Sequence, residues 1–205
     1  MKVQLRRRLL AHRAALSKVE ICQKSAAIAA HVCGMSRFQT SQTLMVYMAL
    51  PYEVQTGAIV AAARQRQKRV VMPMIRDRRL VVVDCPAEMA QLRPGPYGIL
   101  EPYGTYTVVQ PEEIDCVLVP GVGFDAYGGR LGFGQGYYDR FLRQLPCTAS
   151  YGGLAFSIQM VPHVPRLWHD VCVHFLVTEQ GVQPCRHTLP QGRDPCVEAE
   201  QRRTP

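Results

Sequence analysis

The run VLVPGVGFDAYGGRLGFGQGYYDRFL, residues 117–142, holds the side chains best suited to chemistry. An apolar strand is expected to lead into a loop carrying Gly121, Gly123, Gly128, Gly129, Gly132, Gly134 and Gly136, and then into a helix over 137–145. Glycine lets backbone approach a phosphate closely and turn several amide hydrogens toward it. A helix start adds its positive dipole end. Arg130 can grip phosphate oxygens through two parallel N–H groups, and Asp139 can hold magnesium against those same oxygens. Each feature alone has a plainer explanation, since glycine loops turn chains and a first-turn Asp complements the dipole. Their coincidence points to an anion site. The G-K-[ST] ending is absent, so this is not a Walker loop. Asp125 at the strand end could touch a metal or simply fix the loop, and the sequence leaves both open.

The elements that must position this loop alternate between strand and helix. Val3, Leu5, Leu9, Leu10 and Leu16 sit at helical spacing among basic residues. Ser17 and Glu20 then form an S-x-x-E capping box that opens a second helix over 18–33. TLMVYM (43–48) reads as a buried strand, and TGAIVAAARQRQ as a helix capped by Thr56. RVVMP (69–73) and LVVVD (80–84) read as further strands, completing a βαβ unit with parallel pairing. Residues 86–112 read as an irregular connection with a helical turn near 88–92. IDCVLVPGVGF (114–124) reads as one strand, SYGGLAF and VCVHFLVTE as two more. The expected organisation is one domain over 1–182, followed by a polar, mobile tail over 183–205.

Composition removes several classes. No apolar run approaches the ~20 residues of a membrane-spanning helix, and the N-terminus lacks the apolar block of a secretory signal. Eight cysteines form no C-x-x-C pair, which suits free thiols in a reducing cytoplasm. The net charge of +8 suits a polyanionic ligand, and the scatter of the basic residues weakens a nucleic-acid reading.

The run DAYGGRLGFGQGYYDRFL resembles the signature of the 5-formyltetrahydrofolate cyclo-ligase family. The likeness extends over roughly 2–178, through MKVQLR, YMALPYEVQT, YGILEP at 97–102 and WHDVCVHFLVTE. It implies that Lys2 and Arg6 contact ATP phosphates. It further implies that Arg130, Leu131, Gly132, Phe133, Gly134, Gln135, Gly136, Tyr137 and Tyr138 form the nucleotide loop. Phe133, Gly134, Gln135, Gly136 and Tyr137 would also meet the folate. Met48 and Glu53 would line the folate pocket, Asp139 and Asp170 would be associated with Mg2+, and Arg130 would be catalytic. Three departures stand out. Gln135 sits where relatives carry Gly or Lys, 76–88 lacks an aromatic-rich stretch, and the tail has no counterpart.

The resemblance implies a three-layer α/β/α fold around a mostly parallel or mixed sheet. It also implies ATP- and magnesium-dependent cyclisation of 5-formyltetrahydrofolate to 5,10-methenyltetrahydrofolate, with release of ADP and phosphate. The expected partners are ATP and the formylated reduced folate, not nucleic acid or membrane, and the chain is expected to act as a cytoplasmic monomer. Two readings from other classes stand beside this one. A non-catalytic folate- or nucleotide-binding protein of the same fold would bind without consuming ATP. A basic RNA-binding module would show strongly salt-dependent affinity.

Overall fold

The computed structural model of the chain describes residues 1–186. Helix α1 (Lys2–Ala14) is followed by α2 (Lys18–Gly34), a short α3 (Ser36–Thr40) and strand β1 (Thr43–Val46). Helix α4 (Gly57–Gln65) leads to the hairpin β2 (Arg69–Arg76) and β3 (Arg79–Asp84). A ribbon of β4 (Leu92–Pro94) and β5 (Leu100–Pro102) precedes β6 (Val108–Val109) and β7 (Cys116–Val119). The glycine segment contributes β8 (Gly123–Phe124) and β9 (Arg130–Leu131), then α5 (Tyr137–Leu142). Strands β10 (Ser150–Leu154), β11 (Phe175–Thr178) and β12 (Gly181–Pro184) close the order.

Eight strands make one mixed sheet in the order β12-β11-β10-β7-β1-β2-β3-β6. The five inner strands from β11 to β2 run parallel, and the strands added at the two edges pair antiparallel. The expected mostly parallel, helix-flanked α/β fold is therefore the observed one. Every residue of β1 and β7 is buried, as strands covered on both faces require. Leu44, Val46, Cys116 and Leu118 pack under α2 and α4. Met45, Val117 and Val119 face the opposite layer, where Phe124, Phe141 and Leu142 cover them.

The sheet reverses its winding between β1 and β7. From β1 the chain crosses through α4 to β2 on one side. On the other side of β1, β7 leads through α5 to β10, with α5 on the opposite face. In an open α/β sheet, ligands bind outside the strand C-termini at such a reversal. Helix α1 lies there, its Leu9 packed with Val122, Leu131, Val161 and Val164.

Several local expectations need correction. The 114–124 run is two strands, not one: it breaks after Val119, and the Phe124 ring folds back so closely that a Cβ on Gly121 would lie 2.5 Å from it. Thr56 does not cap α4 with its side chain, because its hydroxyl donates to the Tyr47 carbonyl at 2.8 Å. Helix α5 has six residues, not nine, so its dipole offers little to an anion. The segment starting at Gln183 does not begin as a free tail. Gln183 and Pro184 pair with Leu176 and Phe175, and Cys185 is buried. The rest of the expected mobile tail, 187–205, lies outside the described residues. The capping box is as expected, with Glu20 N–H donating to the Ser17 hydroxyl and Ser17 N–H to the Glu20 carboxylate.

Gly128 fixes the turn between β8 and β9. Its φ is +83°, and an added Cβ would stand 2.4 Å from the Val173 carbonyl oxygen. Gly128→Ala is expected to lower stability by about 2–4 kcal/mol, from the left-handed backbone and the clash with main chain. Urea denaturation would measure it.

Candidate active site

The break after β7 leaves the Gly121 carbonyl at a tight crevice, with no room for a water molecule, lined by Arg13, Tyr47, Glu53, Val54, Gly121 and Gln159. Gln159 Nε2 donates to that carbonyl at 2.8 Å, and Arg13 Nη1 donates to it at 3.3 Å. Glu53 is buried and accepts from the Leu50 amide at 3.1 Å. Its Oε1 stands 3.6 Å from Arg13 Nη1. Burial pushes the Glu53 carboxyl above its ordinary pKa, opposed by the Leu50 amide and the Arg13 charge. Burial likewise lowers the Arg13 pKa, with Glu53 opposing.

A second group of charges gathers where the glycine loop meets α1 and the 167–171 turn. Arg130, only 5 % exposed, donates from Nη2 to Asp139 Oδ2 at 3.0 Å, and its cation lies 5.3 Å from the Tyr138 ring centroid. Asp139 Oδ1 accepts from the Val171 amide at 3.1 Å, which brings Asp139 alongside Asp170. Lys2 Nζ donates to Asp170 Oδ2 at 2.6 Å, and the Leu167 amide donates to the same oxygen at 2.7 Å. Burial opposes ionisation of Asp170, but Lys2 and the Leu167 amide outweigh it and hold the carboxyl below its ordinary pKa. Arg6 Nε donates to the Gly132 carbonyl at 2.8 Å and so reaches the loop from α1.

The expected residues thus fall into two neighbouring clusters. Lys2, Arg6, Gly132, Gly134, Arg130, Asp139 and Asp170 meet in one. Glu53 lies in the crevice, and the exposed Phe133 stands between the two, 6.0 Å above the Arg13 guanidinium. Gln135 is exposed, and its carbonyl accepts from Arg140. Gly136 begins α5 with φ +66°, and Tyr137 lies under the Arg140 cation. The Leu131 side chain is core, packed against Leu9, so only its backbone is available to a ligand. Met48 packs with Met72, Met74 and Leu92 beside the β4–β5 ribbon.

Asp125 is fully buried and occupied by the loop itself. It accepts from the amides of Tyr127 at 2.9 Å, Gly129 at 2.8 Å and Val164 at 2.7 Å. Three amides take three of its roughly four lone-pair positions, so this carboxylate fixes the loop.

Sequence reasoning missed Arg13. A signal existed: Leu5, Leu9 and Arg13 follow at intervals of four along one helical stripe, so a cation sits at a core-facing position. Among the described residues, its Nε and Nη2 are buried without hydrogen-bond partners, as is Arg130 Nε. Each such group costs about 1–3 kcal/mol.

Two cationic helix residues, a glycine loop, paired carboxylates and a crevice gather at the strand reversal of an α/β protein, the place where open α/β sheets bind ligands. The family model of the 5-formyltetrahydrofolate cyclo-ligase family matches residues 1–179. The 5-formyltetrahydrofolate cyclo-ligase of Mus musculus is 27% identical over 200 residues, covering 88% of this chain and 93% of its own length. The solved 5,10-methenyltetrahydrofolate synthetase of Aquifex aeolicus superposes with a TM-score of 0.79 at 32% identity, covering 94% of this chain and 95% of that one. That of Mycoplasma pneumoniae gives 0.72 at 26% identity, over 87% and 98%. The chain belongs to the 5-formyltetrahydrofolate cyclo-ligase family, a family of ligases. Among the described residues, no helix is long and apolar enough to cross a membrane.

Two outcomes test this site. Asp125→Ala strands three amides and is expected to destabilise the fold by about 3 kcal/mol or more in urea denaturation. The second is a pH effect. Because the folded Asp170 pKa is depressed, its pairing contributes stability above the ordinary Asp value near ~4 and loses it as pH falls through the lower folded value. The stability gap between the native chain and Asp170→Asn should therefore be open at neutral pH and close in acid.

Proposed function

We propose that this chain cyclises 5-formyltetrahydrofolate to 5,10-methenyltetrahydrofolate in a Mg2+-dependent reaction at the expense of ATP. The observation that carries the reading is the meeting of Lys2, Arg6 and Arg130 with the glycine loop and with Asp139 and Asp170. Triphosphate oxygens have natural partners in the three cations and in the loop amides. Asp139 and Asp170 suit Mg2+, which takes one or two carboxylates together with substrate phosphates. When bound, the ion would neutralise charge on the phosphate oxygens.

The chemistry asked of the protein is positional and electrostatic. The formyl oxygen of the folate takes the terminal phosphoryl group of ATP, and ADP leaves. N10 of the folate then attacks the activated formyl carbon and gives up its proton, and the phosphorylated oxygen departs as phosphate. Arg130, held beside its carboxylate at the loop, would spread charge on the transferring group. Glu53 would orient the pterin by accepting its ring N–H and amino donors. Phe133 would cover the reacting groups from the rim. No protein nucleophile is required. The enzyme is read as a cytoplasmic monomer over 1–182, although β12 carries the sheet two residues further.

The test is a spectrophotometric assay of the methenyl product with ATP and Mg2+ supplied or withheld. Product should form only with both, and Arg130→Ala should lower kcat by about 100- to 1000-fold. Trp168, the sole tryptophan, lies two residues from Asp170. Its fluorescence should change on addition of MgATP and provides a binding readout independent of turnover. Binding of ATP and folate without product would instead support a non-catalytic binding protein.

A further inference from the structure

Arg13 is 2 % exposed, yet only one of its three nitrogens is engaged. Nη1 lies between the Gly121 carbonyl and Glu53 Oε1, while Nε and Nη2 have no partner among the described residues. Two exposed aromatic rings stand over the guanidinium, Tyr52 at 4.8 Å and Phe133 at 6.0 Å. A counterion for Glu53 would need a charge, and Nη1 already supplies it. The unused two-donor edge is surplus to that role, and buried donors without partners call for an acceptor, which a ligand can supply. Arg13 and Glu53 together set donors directly beside an acceptor. Their complement is a flat ring edge with a carbonyl oxygen next to N–H donors.

We propose that Arg13 is a specificity-determining residue of the folate crevice, its Nε–Nη2 edge donating to the pterin 4-oxo group while Glu53 accepts from the adjoining ring N–H and amino group. This rests on the folate reading above. The rings of Tyr52 and Phe133 form the rim, which must part for the heterocycle to enter, because the crevice as folded is too tight for a water molecule. A 2,4-diamino ring offers Arg13 a second donor where an acceptor is needed, and the site rejects it.

Calorimetry without ATP tests this with two probes, 5-formyltetrahydrofolate and its 4-amino-4-deoxy counterpart. The native chain should bind the oxo compound more tightly, by about 10- to 100-fold. Arg13→Leu should lose most of that preference by weakening the oxo compound alone, the remainder belonging to Glu53, whose ring N–H partner the 4-amino ring lacks. Arg13→Lys keeps a charge beside Glu53 but lacks the two-donor fork, so it should also lose most of the preference. It carries the comparison if Arg13→Leu does not fold. An equal fall for both compounds in Arg13→Lys would mean that Arg13 serves only Glu53, and would overturn the proposal. So would a native chain that binds both compounds equally. A native chain that binds neither would instead strike the folate reading itself.

Discussion

A charge removed from water must be paired or hydrogen-bonded, at a cost otherwise of several kcal/mol per ion. At the C-terminal edge of this sheet Arg13, Arg130, Glu53 and Asp125 are all largely withdrawn from solvent, and the local architecture follows from accommodating them. The end of β7 at Val119 makes this possible. It frees the Gly121 carbonyl for Arg13 and Gln159, and it lets β8 and β9 form the separate hairpin on which Arg130 is mounted. Asp125 closes that hairpin from within by taking three amides, one of them from the distant 161–164 segment. The loop therefore holds its shape by internal hydrogen bonds, and its glycines serve close approach and left-handed turns as well as any contact to phosphate.

The cations and carboxylates at the loop neutralise one another. Arg130 is held by Asp139, and Lys2 by Asp170. A phosphate arriving alone would have to compete with a carboxylate for each cation, and a metal arriving alone would have to compete with a cation for each carboxylate. Under the proposed function the two together would exchange both pairs at once, with phosphate oxygens taking the cations and the carboxylates turning to the metal. This gives a physical reason for a site that favours the metal–nucleotide complex over either component.

Much of the framework was legible in the residues. The capping box at Ser17 and Glu20, the buried runs of β1, β2 and β7, and the glycine segment each carry local chemistry that dictates local structure. The failures are equally local in origin. The 114–124 run is apolar throughout, and apolarity cannot show that the Phe124 ring folds back under Gly121. Thr56 has the right type and place for a cap, but the Tyr47 carbonyl was a partner visible only in three dimensions. Gln183 looked like the start of a polar tail because an edge strand with one face in solvent needs no apolar periodicity.

The sequence by itself determined the fold class, the glycine loop and the residue types of an anion site, because these depend on short-range pattern and on side-chain chemistry. Tertiary structure alone decided which charges meet. Lys2 and Asp170 are 168 residues apart, and Arg13 and Gly121 are 108 apart. No local spacing encodes such pairs. They exist because the reversal between β1 and β7 brings their loops to one end of the sheet and α1 folds across it, and because burial there leaves each charge only the partners that packing supplies.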